Sequence, residues 1–129
     1  MNTDKHGLDL VAGEITHSII GCAFEVLNEL GHGLHEKPYE NALTVEFGLQ
    51  GLVFDQQRRY DVLYKQVPVG EFIPDLIVSN AVVVDTKVVE KITDLERGQM
   101  LNYLRITKLK VGLLINFKRP KLEWERIVL

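Results

Sequence analysis

Between Gly70 and Val89 the chain reads Glu71-Phe-Ile-Pro-Asp-Leu-Ile-Val, then Ser79-Asn-Ala, then Val82-Val-Val-Asp-Thr-Lys-Val-Val. Two β-branched runs on either side of a short polar turn predict a β-hairpin. Its apolar residues fill both alternation classes: Ile73, Ile77, Val83 and Val89 in one, and Leu76, Val78, Val82, Val84 and Val88 in the other. A strand with one wet face alternates, whereas a strand apolar on both faces must be covered on both. The hairpin therefore belongs at the centre of a sheet with layers on either side, and no other segment restricts the architecture as strongly.

Three charges interrupt these runs: Asp75, Asp85 and Lys87. Side chains two apart on a strand share a face, so Asp85 and Lys87 point the same way. A three-residue loop, Ser79-Asn80-Ala81, pairs Val78 with Val82 and, carried along the ladder, sets Asp75 opposite Asp85. The two carboxylates would then lie about 5 Å apart at their β-carbons and would demand a compensating positive charge. A two-residue loop instead pairs Asp75 with Val84 and sends the carboxylates to opposite faces. In the first register two arrangements balance the charge. One is a divalent cation held by hard oxygen donors, with Lys87 placed to position or activate a nucleophile at a phosphate. The other is a solvent-open Asp/Lys ion-pair patch at a strand end.

Elsewhere the pattern is regular. Helical spacing of Ile15, Ile19, Ala23, Val26, Leu27 and Leu30 predicts an amphipathic helix from Val11 to Leu30, stopped by Gly31. His32 to Lys37 is a connector, and Pro38 suits the first turn of a second helix running to about Gly51. Leu52 to Lys65 fits one or two strands. Thr93 with Glu96 forms a capping box for a helix to about Ile106. Lys110–Phe117 and Leu122–Val128 read as closing strands around Lys118-Arg-Pro-Lys. The order is α-α-β-β-β-α-β-β, in one domain over 11–129 behind an N-terminal tail of residues 1–10.

Net charge is −3, but residues 1–85 hold five Lys/Arg against thirteen Asp/Glu, and residues 86–129 hold ten against five. The basic C-terminal third offers Lys91, Arg97, Arg105, Lys108, Lys110, Lys118, Arg119 and Lys121 for phosphate contacts. Apolar stretches such as Val111–Ile115 fall far short of the ~20 residues of a membrane span. No export signal is visible at the N-terminus, and the single Cys22 forms no internal disulfide, so a cytoplasmic location is expected. His6, His17, His32 and His35 lack zinc spacing and a cysteine partner. Cys22 falls on the helical stripe as a packing residue, and Trp124 and Phe117 read as core near the closing strands. No glycine-rich phosphate loop is present.

Asp75 followed by Asp85-Thr86-Lys87, between an acidic helix and a later glutamine-bearing helix, resembles the PD-(D/E)XK nuclease superfamily. More closely, Gly33-Leu-His-Glu36-Lys-Pro-Tyr39 matches the pattern that names the GxxExxY family. Gln99-Met-Leu-Asn-Tyr103-Leu, Val111 to Phe117 and Leu122-Glu-Trp match its later blocks. The resemblance runs from about Ile15 to the C-terminus. It implies a restriction-endonuclease-like α/β fold, a mixed central sheet flanked by helices. It also implies a Mg²⁺ or Mn²⁺ site from Asp75, Asp85 and Glu36, with Glu40 the rival helix carboxylate, and catalytic roles for Lys87 and Gln99. Tyr39, Tyr103, Lys91 and Arg97 are candidate substrate contacts. Asp85 stands where the family usually has Glu, and Glu96 where many relatives have His. The expected activity is metal-dependent hydrolysis of nucleic acid, DNA before RNA, with specificity supplied by a protein partner or a second copy of the chain in a homodimer. The alternative is a non-catalytic nucleic-acid-binding or protein-interaction module on the same fold.

Overall fold

The computed structural model describes residues 3–129, with side chains from Ala12 onward. In chain order it comprises α1 (Thr3–Leu30), α2 (Glu36–Gln50), β1 (Phe54–Gln56), β2 (Tyr60–Tyr64), β3 (Val67–Phe72) and β4 (Leu76–Val78). These are followed by β5 (Val82–Lys87), α3 (Asp94–Thr107), β6 (Val111–Asn116) and β7 (Glu123–Val128). Of the expected tail, residues 1 and 2 lie outside the described residues, and from Thr3 the backbone already belongs to α1.

Helix ends follow their local chemistry. Gly31 (φ +77) closes α1 with its N–H on Leu27 O, and Gly51 (φ +74) closes α2. These are left-handed positions where a Cβ would be strained. The Thr93/Glu96 capping box opens α3 as expected.

A five-stranded mixed sheet runs in the order β1-β4-β5-β6-β7. Only β5 and β6 are parallel, joined by the α3 crossover, and every other pair is antiparallel. Leu76, Val78, Val82, Val84, Leu113 and Ile115 face α1 and α2 in one core cluster. Ile77, Val83 and Leu114 pack with Ile92, Met100 and Leu104 of the α3 side in the other. The two alternation classes of the hairpin thus fill two layers. Gly112 leaves room for Met100 on the α3 side, where an added Cβ would collide with its Sδ.

The strand count exceeds the expected three between the second and third helices, because Leu52–Phe72 supplies β1 and a separate two-stranded ribbon, β2–β3. The expected hairpin strand from Glu71 is also broken. Glu71 and Phe72 pair with Asp61 and Tyr60 in the ribbon, and the strand resumes in the main sheet only at Leu76. Pro74 lies in the break, where its missing N–H cannot serve a central ladder.

Candidate active site at the end of the central strands

The hairpin turn sets the site. Ser79 and Asn80 adopt positive φ, Ala81 N–H bonds Val78 O, and Val78 pairs with Val82, Ile77 with Val83 and Leu76 with Val84. This is the register of the three-residue loop. Two steps beyond Leu76, the break at Pro74 removes the strand partner of Thr86, and the Asp75 side chain replaces it. Its Oδ2 accepts from Thr86 N–H at 2.9 Å and from Thr86 Oγ1 at 3.0 Å.

Asp85 is the most perturbed acid of the cluster. Burial and then the neighbouring Asp75 carboxylate push its pKa up to about 7, against the opposing pull of Lys87. Lys87 Nζ lies 3.1 Å from Asp85 Oδ2, and both side chains are largely buried. Burial alone would lower the lysine's pKa, but Asp85 and Glu36 raise it above its ordinary value. Lys87 is therefore an ammonium at neutral pH, a donor rather than a base.

Glu36 reaches this end of the sheet through a chain of backbone bonds. Phe117 N–H bonds Lys87 O at 2.9 Å, and Gly33 N–H bonds Phe117 O at 3.0 Å. Gly33 makes that approach at φ +83. Three residues on, Glu36 opens α2, exposed at the rim. Partial burial and the charges of Asp75 and Glu40 raise its pKa, while Lys87 lowers it.

Glu40, the rival carboxylate, is buried, and its Oε2 accepts from Lys37 Nζ, Gln56 Nε2 and Gln57 Nε2 at 3.1, 2.7 and 2.8 Å. Gln57 also donates its backbone N–H to Asp75 O. Glu40 thus braces the segment carrying Asp75.

Tyr103 comes to the site from α3. Burial and then Asp85 raise its pKa, which keeps the hydroxyl protonated, and its ring stacks on Phe72 with centroids 4.0 Å apart. Gln99 precedes it by one helical turn on the same stripe, half-buried.

Two of the expected substrate contacts have structural places instead. Tyr39 is fully buried, stacked on Phe117 at 4.3 Å, with its hydroxyl donating to Gly31 O and accepting from Leu34 N–H. It fixes the connector that carries Glu36. Arg97 is held by Glu125 (2.5 Å) and Asp94 (2.8 Å). Lys91 is exposed in the loop after β5. Glu96 is bound to Thr93, the capping role expected of it. Of the aromatics read as core, Phe117 is fully buried, whereas Trp124 is 43% exposed. Sequence reasoning missed Thr86, Phe72 and Gln57; Pro74 was the available signal for the first two, since a proline inside a central strand marks a break.

The donor chemistry suits a hard divalent ion. Mg²⁺ is typically held by one or two carboxylates with water and phosphate completing the shell, and Asp75 and Asp85 are such a pair, short of one positive charge beside Lys87. Among the described residues no group of three or more His, Cys, Asp or Glu is gathered to hold a metal. The pair would therefore be the protein's main contribution, with Glu36 at the rim.

A mixed sheet between helices, with an Asp pair and a lysine at the end of its central strands, defines a restriction-endonuclease-like domain. The family model described as the PD-(D/E)XK nuclease superfamily matches residues 13–127, and the chain belongs to that superfamily. No curated protein and no solved structure matched the chain. Among the described residues no helix is long and apolar enough to cross a membrane.

Proposed function

We propose that this protein is a nuclease of the GxxExxY family that hydrolyses phosphodiester bonds of nucleic acid, DNA in preference to RNA, with Mg²⁺ or Mn²⁺. The observation that carries this reading is the Asp75, Asp85 and Lys87 cluster, in which one lysine faces two partly buried carboxylates and the pKa of Asp85 is pushed up to about 7. Asp75 and Asp85 are the metal ligands and Glu36 the rim carboxylate. The ion would supply Lewis acidity toward the phosphodiester and activate water at neutral pH.

The protein's own groups do the rest. Lys87, kept protonated by Asp85, donates to the attacking water or to a phosphate oxygen. Tyr103 and Gln99 offer further neutral donors beside it from α3. Thr86 holds the Asp75 carboxylate in place through two hydrogen bonds. Reducing cytoplasm suits the buried thiol of Cys22, whose pKa is pushed up to about 11 by burial and by Glu46. Sequence or structure selectivity comes from a protein partner or a homodimer.

The 3.1 Å Lys87–Asp85 ion pair also favours a second reading, a binding module in which the lysine serves only to neutralise the acid. A cleavage assay on labelled duplex DNA with Mn²⁺ or EDTA separates the two. Wild type is expected to cut only with Mn²⁺, and Asp85→Ala and Lys87→Met to lose at least a hundredfold, roughly 3 kcal/mol of transition-state stabilisation. Undiminished cutting by both variants, or binding without cutting by wild type, would remove the nuclease reading.

A further inference from the structure

The basic excess of the C-terminal third does not fall on one surface. Lys108 and Lys110 stand where β6 begins, whereas Lys91, Lys118, Arg119 and Lys121 stand in loops at its other end. At ~3.3 Å per strand residue the two groups are separated by about 20 Å along the sheet.

The second group shares a rim with the candidate site. The loop after β5 leaves directly from Lys87, and its Ile92 N–H bonds Glu123 of β7 at 3.2 Å. Arg119 clasps the same loop, with Nη2 2.7 Å from Glu90 Oε2 and Nε on Glu90 O. Lys118 O lies 3.2 Å from His32 Nδ1, and Gly33 N–H bonds Phe117 O. Three loops are thereby sewn together at the carboxyl ends of the parallel strands β5 and β6, the place where open α/β sheets bind their ligands.

The cations of this rim differ in how they are engaged. Arg119 is committed to Glu90, and Lys118 lies 3.9 Å from the same carboxylate. Lys91 and Lys121 are exposed and form no ion pair among the described residues. They flank Glu90 and Glu123, the residues that tie the loops, so two unpaired ammonium groups stand on a braced scaffold at the same end of the sheet as Lys87.

We propose that this rim is the track for the nucleic-acid backbone, with Lys91 and Lys121 contacting phosphates that flank the one presented to Asp75 and Asp85. The duplex crosses the ends of β5 and β6 over the β6–β7 turn, and Lys108 and Lys110 take no part. This assignment rests on the nuclease reading, because it is that site which gives the track its purpose.

The test compares two variants of equal charge change, Lys91→Gln with Lys121→Gln and Lys108→Gln with Lys110→Gln. Binding of a fluorescent DNA duplex is followed by anisotropy in EDTA across a salt series, beside Mn²⁺ cleavage by each protein. The rim pair is expected to bind at least fivefold more weakly and to flatten the log–log salt slope by about 2, since each phosphate contact contributes about 0.9. The distal pair is expected to match wild type. Equal losses from both pairs, or a loss confined to the distal pair, would overturn the track while leaving metal-dependent cleavage, and with it the nuclease reading, intact. Wild type that neither binds nor cleaves would overturn both.

Discussion

Asp85 is a carboxylic acid whose side chain is largely buried and whose ionisation Asp75 opposes. Folding therefore makes it take up a proton anywhere between its ordinary pKa of 3.8 and about 7. The sign follows from proton linkage: the native state binds more protons than the unfolded chain in that window, so stability falls as pH rises through it. The contribution is fully present below the ordinary value and lost above pH 7, a difference on the order of a few kcal/mol. Asp75→Asn removes the neighbouring charge while keeping an oxygen to accept from Thr86. In that variant Asp85 is expected to titrate closer to its ordinary value, with a smaller fall in melting temperature between pH 5 and 8 in the absence of metal. Carboxyl NMR titration measures the first directly, and an Asp85 still titrating near 7 would show that Asp75 is not the neighbour that matters.

Strand alternation made Asp85 beside Lys87 legible, but Asp75 opposite Asp85 was only one of two registers open to the sequence, and the structure selects it through the Ser79-Asn80-Ala81 loop. The bond from Asp75 to Thr86 was not legible, since it exists only because the ladder fails at Pro74.

At the scale of elements, Gly33, Glu36 and Tyr39 have separate physical duties that make one device. Gly33 permits the positive φ at which its N–H meets Phe117 O, Tyr39 anchors the connector from below, and Glu36 is what the anchored connector presents. Tyr39→Phe keeps the ring stack but strips the hydroxyl from Gly31 O and Leu34 N–H. A loss of about 0.5–1.5 kcal/mol in denaturant unfolding is expected, the usual net worth of a hydrogen bond whose partners, in the exposed connector, are left to water. An unchanged midpoint with an unchanged slope would mean that the connector is held by other contacts.

Helices were the easier part of this chain to read, because their caps are local: Gly31, Gly51 and the Thr93/Glu96 box each act within a turn. The β2–β3 ribbon was opaque for the opposite reason. Leu63, Tyr64, Val67 and Val69 are all exposed there, so β3 lacks the alternation that burial on one face would impose and β2 keeps it only over Tyr60, Asp61 and Val62.

Across the whole molecule, the α3 crossover makes β5 and β6 parallel and brings their carboxyl ends together. The acidic site and the basic rim meet there although the residues that build them span Glu36 to Glu123 in sequence. The charge asymmetry between the two parts of the chain was visible in composition, but composition could not sort Lys91 and Lys121 from Lys108 and Lys110. That separation is set by the length of β6. The same assembly sets two carboxylates, Asp75 and Asp85, against a single lysine, and the central claim is that a divalent cation is what allows both to ionise. A cation bound there must displace the proton that Asp85 holds near neutrality, so binding should strengthen as pH rises through 7. Titration calorimetry of Mn²⁺ into wild type and Asp85→Ala at pH 8 tests this most directly. The expected result is one site in wild type, weakened at pH 6, and no measurable binding in the variant; equal affinity in both proteins would contradict the account.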